Sequence, residues 1–335
     1  MKSIDRIIST INFERTDRAP VFSHIYGFAS RLRHIPLKDY LNSGELLAFC
    51  QIEAWKRFSY DGVTAFADNS LEAEAIGSKI SYKNDAYPHI DRYCLNDIHD
   101  WKYLSIPDSE KDGRMPVIID ACRILKNEVG KETAVIGTVQ GPVTLAGQLL
   151  GIEKLIYSVV DHPEEFYNLL NFSTRAMVAF GKALIKAGAH IIHVFDPSSS
   201  CSVINRAVFK EYVLPNLKQA FGEFKHSGDP ICWLNITGQT IPILDLFSET
   251  GADLFNIDYL VPITIAMEKL PHHCINGNIK SFSFISGEAK EIQREAKDLL
   301  TQTQSRGGFA LGPGCEIPLE SKVSNIEAMM IAVNG

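Results

Sequence analysis

Short apolar runs alternate with longer amphipathic segments along this chain. Eight of the runs are strand-sized and rich in Val, Ile, Phe or Tyr, and each ends in a polar or glycine-rich stretch. Such runs are typical of parallel strands that are buried on both faces. They cover residues 19–26, 62–66, 133–139, 190–195, 231–236, 254–257, 273–276 and 309–311.

Helical patterns lie between these runs. The longest covers residues 163–187 and begins with Pro163 and two glutamates, which suit the first turn of a helix. Gly188 follows it as a stop signal. Eight alternations of strand and helix predict a closed (β/α)8 TIM barrel, an α/β fold in which residues 1–335 form a single domain. The other helical patterns cover residues 45–58, 241–249, 288–305 and 325–333.

One stretch, residues 78–113, interrupts the alternation. It is rich in Asp and Pro and contains few apolar runs. This pattern predicts an insertion between the second and third strands, with room for a short hairpin. Residues 114–129 then predict an extra helix, which Gly130 ends.

The composition narrows the class of protein. The chain has 335 residues, 45% of them hydrophobic and 22% charged, and a formal net charge of −7. We do not expect such an acidic chain to bind nucleic acid. The seven cysteines are odd in number and irregularly spaced, which favours a reducing cytoplasm over a disulfide framework. Because neither a signal peptide nor an apolar run of about 18 residues is recognisable, we expect a cytoplasmic protein without a membrane partner. The sequence leaves its oligomeric state open.

In a barrel of this kind the chemistry lies where strands end and the following loops begin. This rule selects polar residues as candidates without assigning their roles. The candidates are His24, Tyr26, Asp68, Gln140, His193, Asp196, Asn235, Thr237, Asp258, Cys274, Asn276, Asn278, Cys315 and Glu316.

Five local strings, taken in order, resemble one protein family. They are residues 140–147 (QGPVTLAG), 195–200 (FDPSSS), 237–244 (TGQTIPIL), 277–278 (GN) and 307–318 (GGFALGPGCEIP). No single string is specific, but their order and spacing resemble the uroporphyrinogen decarboxylase superfamily, and within it the corrinoid-dependent methyltransferases. The resemblance spans nearly the whole chain. It implies a methyltransferase that moves a methyl group between a small-molecule donor or acceptor and methylcobalamin, a corrinoid carried by a partner protein.

The decarboxylases of the superfamily differ at three places. They resemble one another in an arginine-rich loop after the first strand, where this chain has residues 23–29 (SHIYGFA). Their tyrosine after the third strand corresponds to Gln148, and their GHG string to residues 312–315 (GPGC). Because a substrate with many carboxylates needs bidentate arginines, tetrapyrrole decarboxylation is the less favoured alternative. A third alternative is a relative that binds a ligand without catalysis.

The resemblance also implies a Zn²⁺ site. The methyltransferases typically build it from His-x-Cys on the fifth strand and a cysteine after the eighth. Cys315 matches the last ligand, but Asn235 and Thr237 occupy the other two positions, and neither is a good zinc ligand. Cys274 is a replacement candidate, which would pair with Cys315 and take a third ligand from His193, Asp258 or Glu316.

The remaining candidates divide by chemistry, and each has a structural alternative. His24, Asp68 and Asp196 are predicted catalytic groups, whereas a core histidine, a helix N-cap and an Asx cap are the respective alternatives. Buried cysteines without function are the alternative for both predicted thiolates. The predicted substrate-binding residues are Tyr26, Gln148, Asn235, Thr237 and Asn276.

Overall fold

The computed structural model describes residues 1–83 and 85–334. Residue 84 of the predicted insertion and residue 335 of the predicted domain lie outside the described residues. The strands are β1 Gly62–Ala65, β2 Lys79–Ser81, β3 His89–Arg92, β4 Ala134–Gln140, β5 Ile191–Phe195, β6 Ile231–Asn235, β7 Leu254–Asn256, β8 Cys274–Ile279 and β9 Phe309–Pro313.

Helices occupy most of the remaining chain. The α-helices are α1 Ser3–Ile11, α2 Phe28–Arg31, α3 Leu37–Leu41, α4 Gly44–Phe58, α5 Leu71–Ile76, α6 Met115–Val129, α7 Pro142–Leu150, α8 Ile152–Asp161, α9 Pro163–Ala187, α10 Arg206–Val208, α11 Leu214–His226, α12 Ile263–Lys269, α13 Ser283–Ser286, α14 Ala289–Thr303 and α15 Val323–Asn334. Three 3-10 helices cover Ile98–Tyr103, Pro197–Ser199 and Ile241–Glu249, and a π-helical turn covers Phe209–Val213.

Seven strands form one parallel sheet in the order β1-β4-β5-β6-β7-β8-β9. Nearly every residue of these strands is buried. Burial on both faces explains why the strands are continuous apolar runs rather than alternating ones. The predicted α/β fold with a parallel sheet is therefore confirmed.

The segment around Val21 contacts both edges of this sheet. Val21 forms a parallel bridge with Leu311 of β9, and the Leu311 amide donates to the Pro20 carbonyl at 2.9 Å. On the other side, the Asp61 amide donates to the Val21 carbonyl at 2.9 Å. This arrangement is consistent with a barrel. The first predicted run, residues 19–26, forms only this bridge. The extended backbone ends at His24, which has a left-handed φ of 47°.

The interior of the curved sheet is apolar at one end and polar at the other. At the amino ends of the strands, Trp233, Leu254 and Cys274 lie side by side in register and belong to an apolar cluster that Ile7 of α1 covers. Two residues further along, a second level of inward side chains follows. It contains Gln140, Phe195, Asn235, Asn256 and Asn276, which are neighbours on successive strands.

An antiparallel pair, β2 and β3, lies within the stretch predicted as an insertion. The predicted extra helix is α6, and the longest predicted helix is α9, which Gly188 ends with a φ of 110°. Residues 241–249 form a 3-10 helix rather than the predicted α-helix. In the described part of the chain no single helix has the length and apolarity to cross a membrane; α7 and α8 meet that test only as a pair bent by 104°.

Candidate functional site

His24 lies inside the curved sheet, level with the polar ends of the strands. It is 4% exposed, and its ring centre is 5.0 Å from that of Trp233. The Asn276 side chain donates from Nδ2 to the Ala310 carbonyl at 3.1 Å, so its Oδ1 accepts from His24 Nε2 at 2.9 Å. The His24 Nδ1 atom then accepts from the Tyr26 hydroxyl at 3.2 Å. These contacts select the neutral tautomer with the proton on Nε2.

Burial reinforces this protonation state. Desolvation lowers the pKa of His24 to about 4, although the hydrogen bond that His24 donates to Asn276 acts in the opposite direction. Burial likewise raises the pKa of the Tyr26 phenol well above its ordinary value. At neutral pH both groups are therefore uncharged hydrogen-bonding partners.

Four carboxamides form what we call the amide layer: Gln140, Asn235, Asn256 and Asn276. Each is at most 1% exposed. Among the described residues the side-chain carbonyl oxygens of Gln140, Asn235 and Asn256 have no hydrogen-bond partner. The Asn256 orientation is fixed because Nδ2 donates to the Gly314 carbonyl at 2.7 Å. Three buried acceptors are thus available to a ligand.

Cys315 follows β9 at the same end of the barrel and is half-buried. Its thiol is hydrogen-bonded to the Thr237 side chain, and Asp258 and Glu316 lie close enough to influence it. Burial raises the pKa of Cys315 to about 12. The structure therefore brings the predicted residues Thr237 and Cys315 together, with the cysteine as a neutral thiol.

The predicted two-thiolate pairing does not fit this structure. Cys274 begins β8 in the apolar layer at the amino end, whereas Cys315 lies beyond the carboxyl end of β9. The six residues of β8, from Cys274 to Ile279, alone separate these levels by about 16 Å. In residues 1–83 and 85–334 no three His, Cys, Asp or Glu side chains are placed to hold a metal ion.

The predicted third ligands make other contacts. His193 lies beneath His24, is fully buried, and bonds Thr138 through Nδ1 at 3.1 Å. Its Nε2 atom has no partner among the described residues. Asp258 accepts from the backbone amides of Gly238 and Leu260, both at 2.9 Å. These contacts orient the side chains for hydrogen bonding around the barrel opening rather than toward one metal centre.

Glu316 is held by a residue that the sequence analysis missed. The Tyr87 hydroxyl, from the segment between β2 and β3, donates to the Glu316 carboxyl and accepts from the Gly27 amide at 2.7 Å. Burial raises the pKa of Glu316 to about 7, although the Tyr87 hydrogen bond lowers it. A Cβ at position 27 would lie 2.4 Å from the Tyr87 hydroxyl, so Gly27 permits this close approach. No motif marked Tyr87, because it lies in the irregular insertion.

Asp68 is part of a buried ion pair. Its carboxylate accepts from Arg114 Nη1 at 2.6 Å and from the Ser70 amide at 2.9 Å. Arg114 also donates from Nε to Glu74 at 2.7 Å. The structure thus gives Asp68 a local turn contact, close to the predicted cap alternative, and a cationic partner.

Asp196 is fully buried and binds the start of α7. Its Oδ1 atom accepts from the Thr144 amide at 2.8 Å and from the Thr144 hydroxyl at 2.7 Å. Its Oδ2 atom accepts from the Ser199 hydroxyl at 2.5 Å. These are the contacts of a helix cap, supplied across the chain rather than by the local turn predicted as its alternative. Burial raises the pKa of Asp196.

Glu72 is a buried acid that sequence reasoning did not select. It is 1% exposed, and its Oε1 atom accepts from the backbone amide of Gln140 at 2.7 Å. Burial raises the pKa of Glu72 to about 8. Within an amphipathic helix its position carries no special signal. Asn256, by contrast, ends a strand as Asn235 and Asn276 do, and the same rule could have identified it.

Gln148 lies on α7, away from the amide layer in sequence and element. Its backbone carbonyl accepts from Ser78 at 3.0 Å, and its Oε1 atom is buried without a partner among the described residues. Its predicted role in substrate binding stays a prediction.

The profile of the family described as Uroporphyrinogen decarboxylase (URO-D) matches residues 2–335. The chain belongs to the URO-D family. Its relatives include methylcobamide:CoM methyltransferase MtaA of Methanosarcina barkeri, 28% identical over 223 residues that cover 65% of this chain and 63% of MtaA. They also include uroporphyrinogen decarboxylase of Carboxydothermus hydrogenoformans, 25% identical over 297 residues that cover 87% of this chain and 83% of that enzyme.

A solved structure titled as a methyltransferase from Methanosarcina mazei matches this URO-D family member with a TM-score of 0.90. It is 22% identical and covers 99% of this chain and 98% of its own. At this identity the likeness shows the fold. The predicted family and its likeness to methylcobamide:CoM methyltransferases are confirmed. Since URO-D relatives include both methyltransferases and decarboxylases, the site itself must separate the two activities.

Proposed function

We propose that this protein transfers a methyl group between a small molecule and a corrinoid carried by a separate protein. The observation that carries the proposal is the lining of the opening, where four carboxyl groups accept hydrogen bonds from backbone amides and hydroxyls near the amide layer: Glu72, Asp196, Asp258 and Glu316. In the described ranges none of these four forms an ion pair. A porphyrinogen with many carboxylates needs bidentate arginines, and this lining offers carboxyl groups instead, which disfavours the decarboxylase alternative. The names of the methyltransferase relatives support the remaining choice.

The proposal includes the architecture of a single closed (β/α)8 barrel with residues 78–113 as an insertion. The contacts of Val21 with both sheet edges support closure. The antiparallel pair of β2 and β3 supports a separate hairpin within the inserted stretch.

Zinc does not form part of this proposal. A catalytic zinc site needs three protein ligands such as thiolate, imidazole or carboxylate. At the corresponding positions Asn235 and Thr237 offer an amide and a hydroxyl, and Cys315 bonds the hydroxyl as a neutral thiol. Because these groups do not fit the metal, we assign them to hydrogen bonding with the small molecule.

A corrinoid bound with its partner protein would supply the cobalt that exchanges the methyl group. The residues of this chain bind and orient the small molecule below it. We assign direct contact to His24, whose neutral ring is fixed by Tyr26 and Asn276. Asp68 and Asp196 act as positioning residues, because their carboxylates are committed to Arg114 and to α7.

The test is methyl exchange between methylcobalamin and a panel of small methyl acceptors, followed by the absorbance change of the corrinoid. We expect turnover that falls about tenfold in His24→Gln, because the loss of a positioned buried hydrogen-bonding ring costs about 1–3 kcal/mol and tenfold in rate corresponds to about 1.4 kcal/mol. His99→Gln is the matched control, since His99 is about half exposed on the surface. Consumption of uroporphyrinogen would instead establish the decarboxylase, and ligand binding without any turnover would establish the non-catalytic relative.

A further inference from the structure

Carboxyl groups outnumber basic side chains around the amide layer. Of the basic side chains near it, Arg114 is bound by both Asp68 and Glu74. Lys280 follows β8, and its Nζ lies over the exposed Tyr259 ring, 5.3 Å from the ring centre. The buried part of the opening is therefore lined by carboxyl groups and amides rather than by cations.

Buried acceptors without hydrogen-bond partners also favour a positively charged ligand. The carbonyl oxygens of Gln140, Asn235 and Asn256 lack partners among the described residues, and all three side chains are at most 1% exposed. Their register on β4, β6 and β7 directs them to the inside of the barrel. A buried acceptor left unbonded costs about 1–3 kcal/mol. A ligand that carries positive charge or N–H groups would satisfy these oxygens, whereas an anion would not.

Aromatic rings complete the surroundings. The ring centres of Tyr26 and Phe66 are 5.0 Å apart in an edge-to-face arrangement, and Trp233 lies below His24. Aromatic faces attract ammonium groups, and methylated ammonium most effectively when it is removed from water. The acids, the acceptors and the rings therefore favour the same kind of ligand.

We propose that the small molecule at this site is a methylated ammonium cation. This inference rests on the proposed function and specifies its substrate. When the methyl carbon leaves such a cation, both electrons of the C–N bond stay on nitrogen and a neutral amine departs. The electron pair of the new bond to carbon would come from the reduced corrinoid of the partner protein, so that atoms and electrons balance without a further reactant.

The experiment measures binding to the full chain by calorimetry, without any corrinoid. Three probes are compared: choline, its uncharged analogue 3,3-dimethylbutan-1-ol, and the anion 2-(methylthio)ethanesulfonate. We expect choline to bind at least about tenfold more tightly than the uncharged analogue, which corresponds to about 1.4 kcal/mol, and the anion to bind least.

Glu316→Gln removes one carboxyl group and should reduce the preference for choline several-fold while binding of the uncharged analogue persists. Glu320→Gln is the matched control on the exposed neighbour and should keep the preference. If circular dichroism shows that Glu316→Gln is unfolded, Asp258→Asn takes its place. Equal binding of choline and the uncharged analogue, tighter binding of the anion, or no choline binding at millimolar concentration would each overturn the inference.

Different results would overturn the proposed transfer activity and the proposed cationic substrate. Methyl exchange with an anionic thiol would support corrinoid-dependent transfer and overturn the cationic substrate. Selective choline binding in a protein that exchanges no methyl group would support the cation site and overturn the transfer activity.

Discussion

Glu72 provides a quantitative test of the site because it is buried without a basic partner that binds it. Burial raises its pKa from the ordinary 4.5 to about 8. In this range the folded protein retains a proton that the unfolded chain releases, so stability falls as pH rises from about 4.5 to about 8 and is constant outside that window. A shift of about 3.5 units at 1.36 kcal/mol per unit corresponds to about 5 kcal/mol across the window.

The Glu72→Gln substitution removes this proton without changing the shape of the side chain. The amide oxygen of Gln can still accept from the Gln140 amide, as the carboxyl does at 2.7 Å. We expect the variant to lose most of the decline in stability, and so to be more stable than the parent at pH 8 and similar to it at pH 5. Urea unfolding at both pH values, followed by circular dichroism, gives the two free energies.

The control for Glu72 is Glu153→Gln on the exposed face of α8, which should leave the pH profile of the parent unchanged. If Glu72→Gln and the parent lost the same free energy between pH 5 and pH 8, burial would not govern the ionisation of Glu72. The reasoning applied to the other buried acids of the site would then fail as well.

Two further predictions concern single residues. Arg114→Met should lower the free energy of unfolding by about 3–5 kcal/mol, because it leaves the buried Asp68 carboxylate without its partner. Urea unfolding measures this loss, with Arg123→Met as the control at an exposed site. A loss below about 1 kcal/mol would contradict the prediction. Cys315 should react with iodoacetamide at pH 8 at least about a hundredfold more slowly in the folded than in the unfolded protein, because the buried thiol has a pKa of about 12; peptide mapping follows the modification, and equal rates would refute the assigned protonation state.

Much of the sheet follows from the sequence because burial on both faces leaves an unbroken apolar run. Seven of the eight predicted runs overlap a strand of the parallel sheet. The first run forms only a bridge at Val21, since the backbone turns at His24. Strand ends also identified His24, Asn235 and Asn276 as neighbours, because register places the last inward residue of each parallel strand at one level.

The rest of the site depends on contacts that no local pattern contains. Cys274 has the same strand parity as Asn276 yet lies one level deeper, so parity gave the correct face and the wrong partner. Asp196 binds α7 through Thr144, 52 residues away in sequence. Tyr87 reaches Glu316 from an irregular segment. A side chain whose role is to bond a distant helix or loop leaves no periodic pattern in the sequence around it.

The hydrogen bond between His24 and Asn276 joins residues 252 positions apart, and the bridge of Val21 with Leu311 joins the same two regions of the chain. Contacts this distant in sequence have the largest entropic cost of loop closure. Topologies that depend on such contacts fold slowly. The imidazole of His24 therefore acquires its final environment only when the segment around Val21 has met β8 and β9. During refolding, its titration behaviour reports the completion of the whole sheet rather than the formation of any local element.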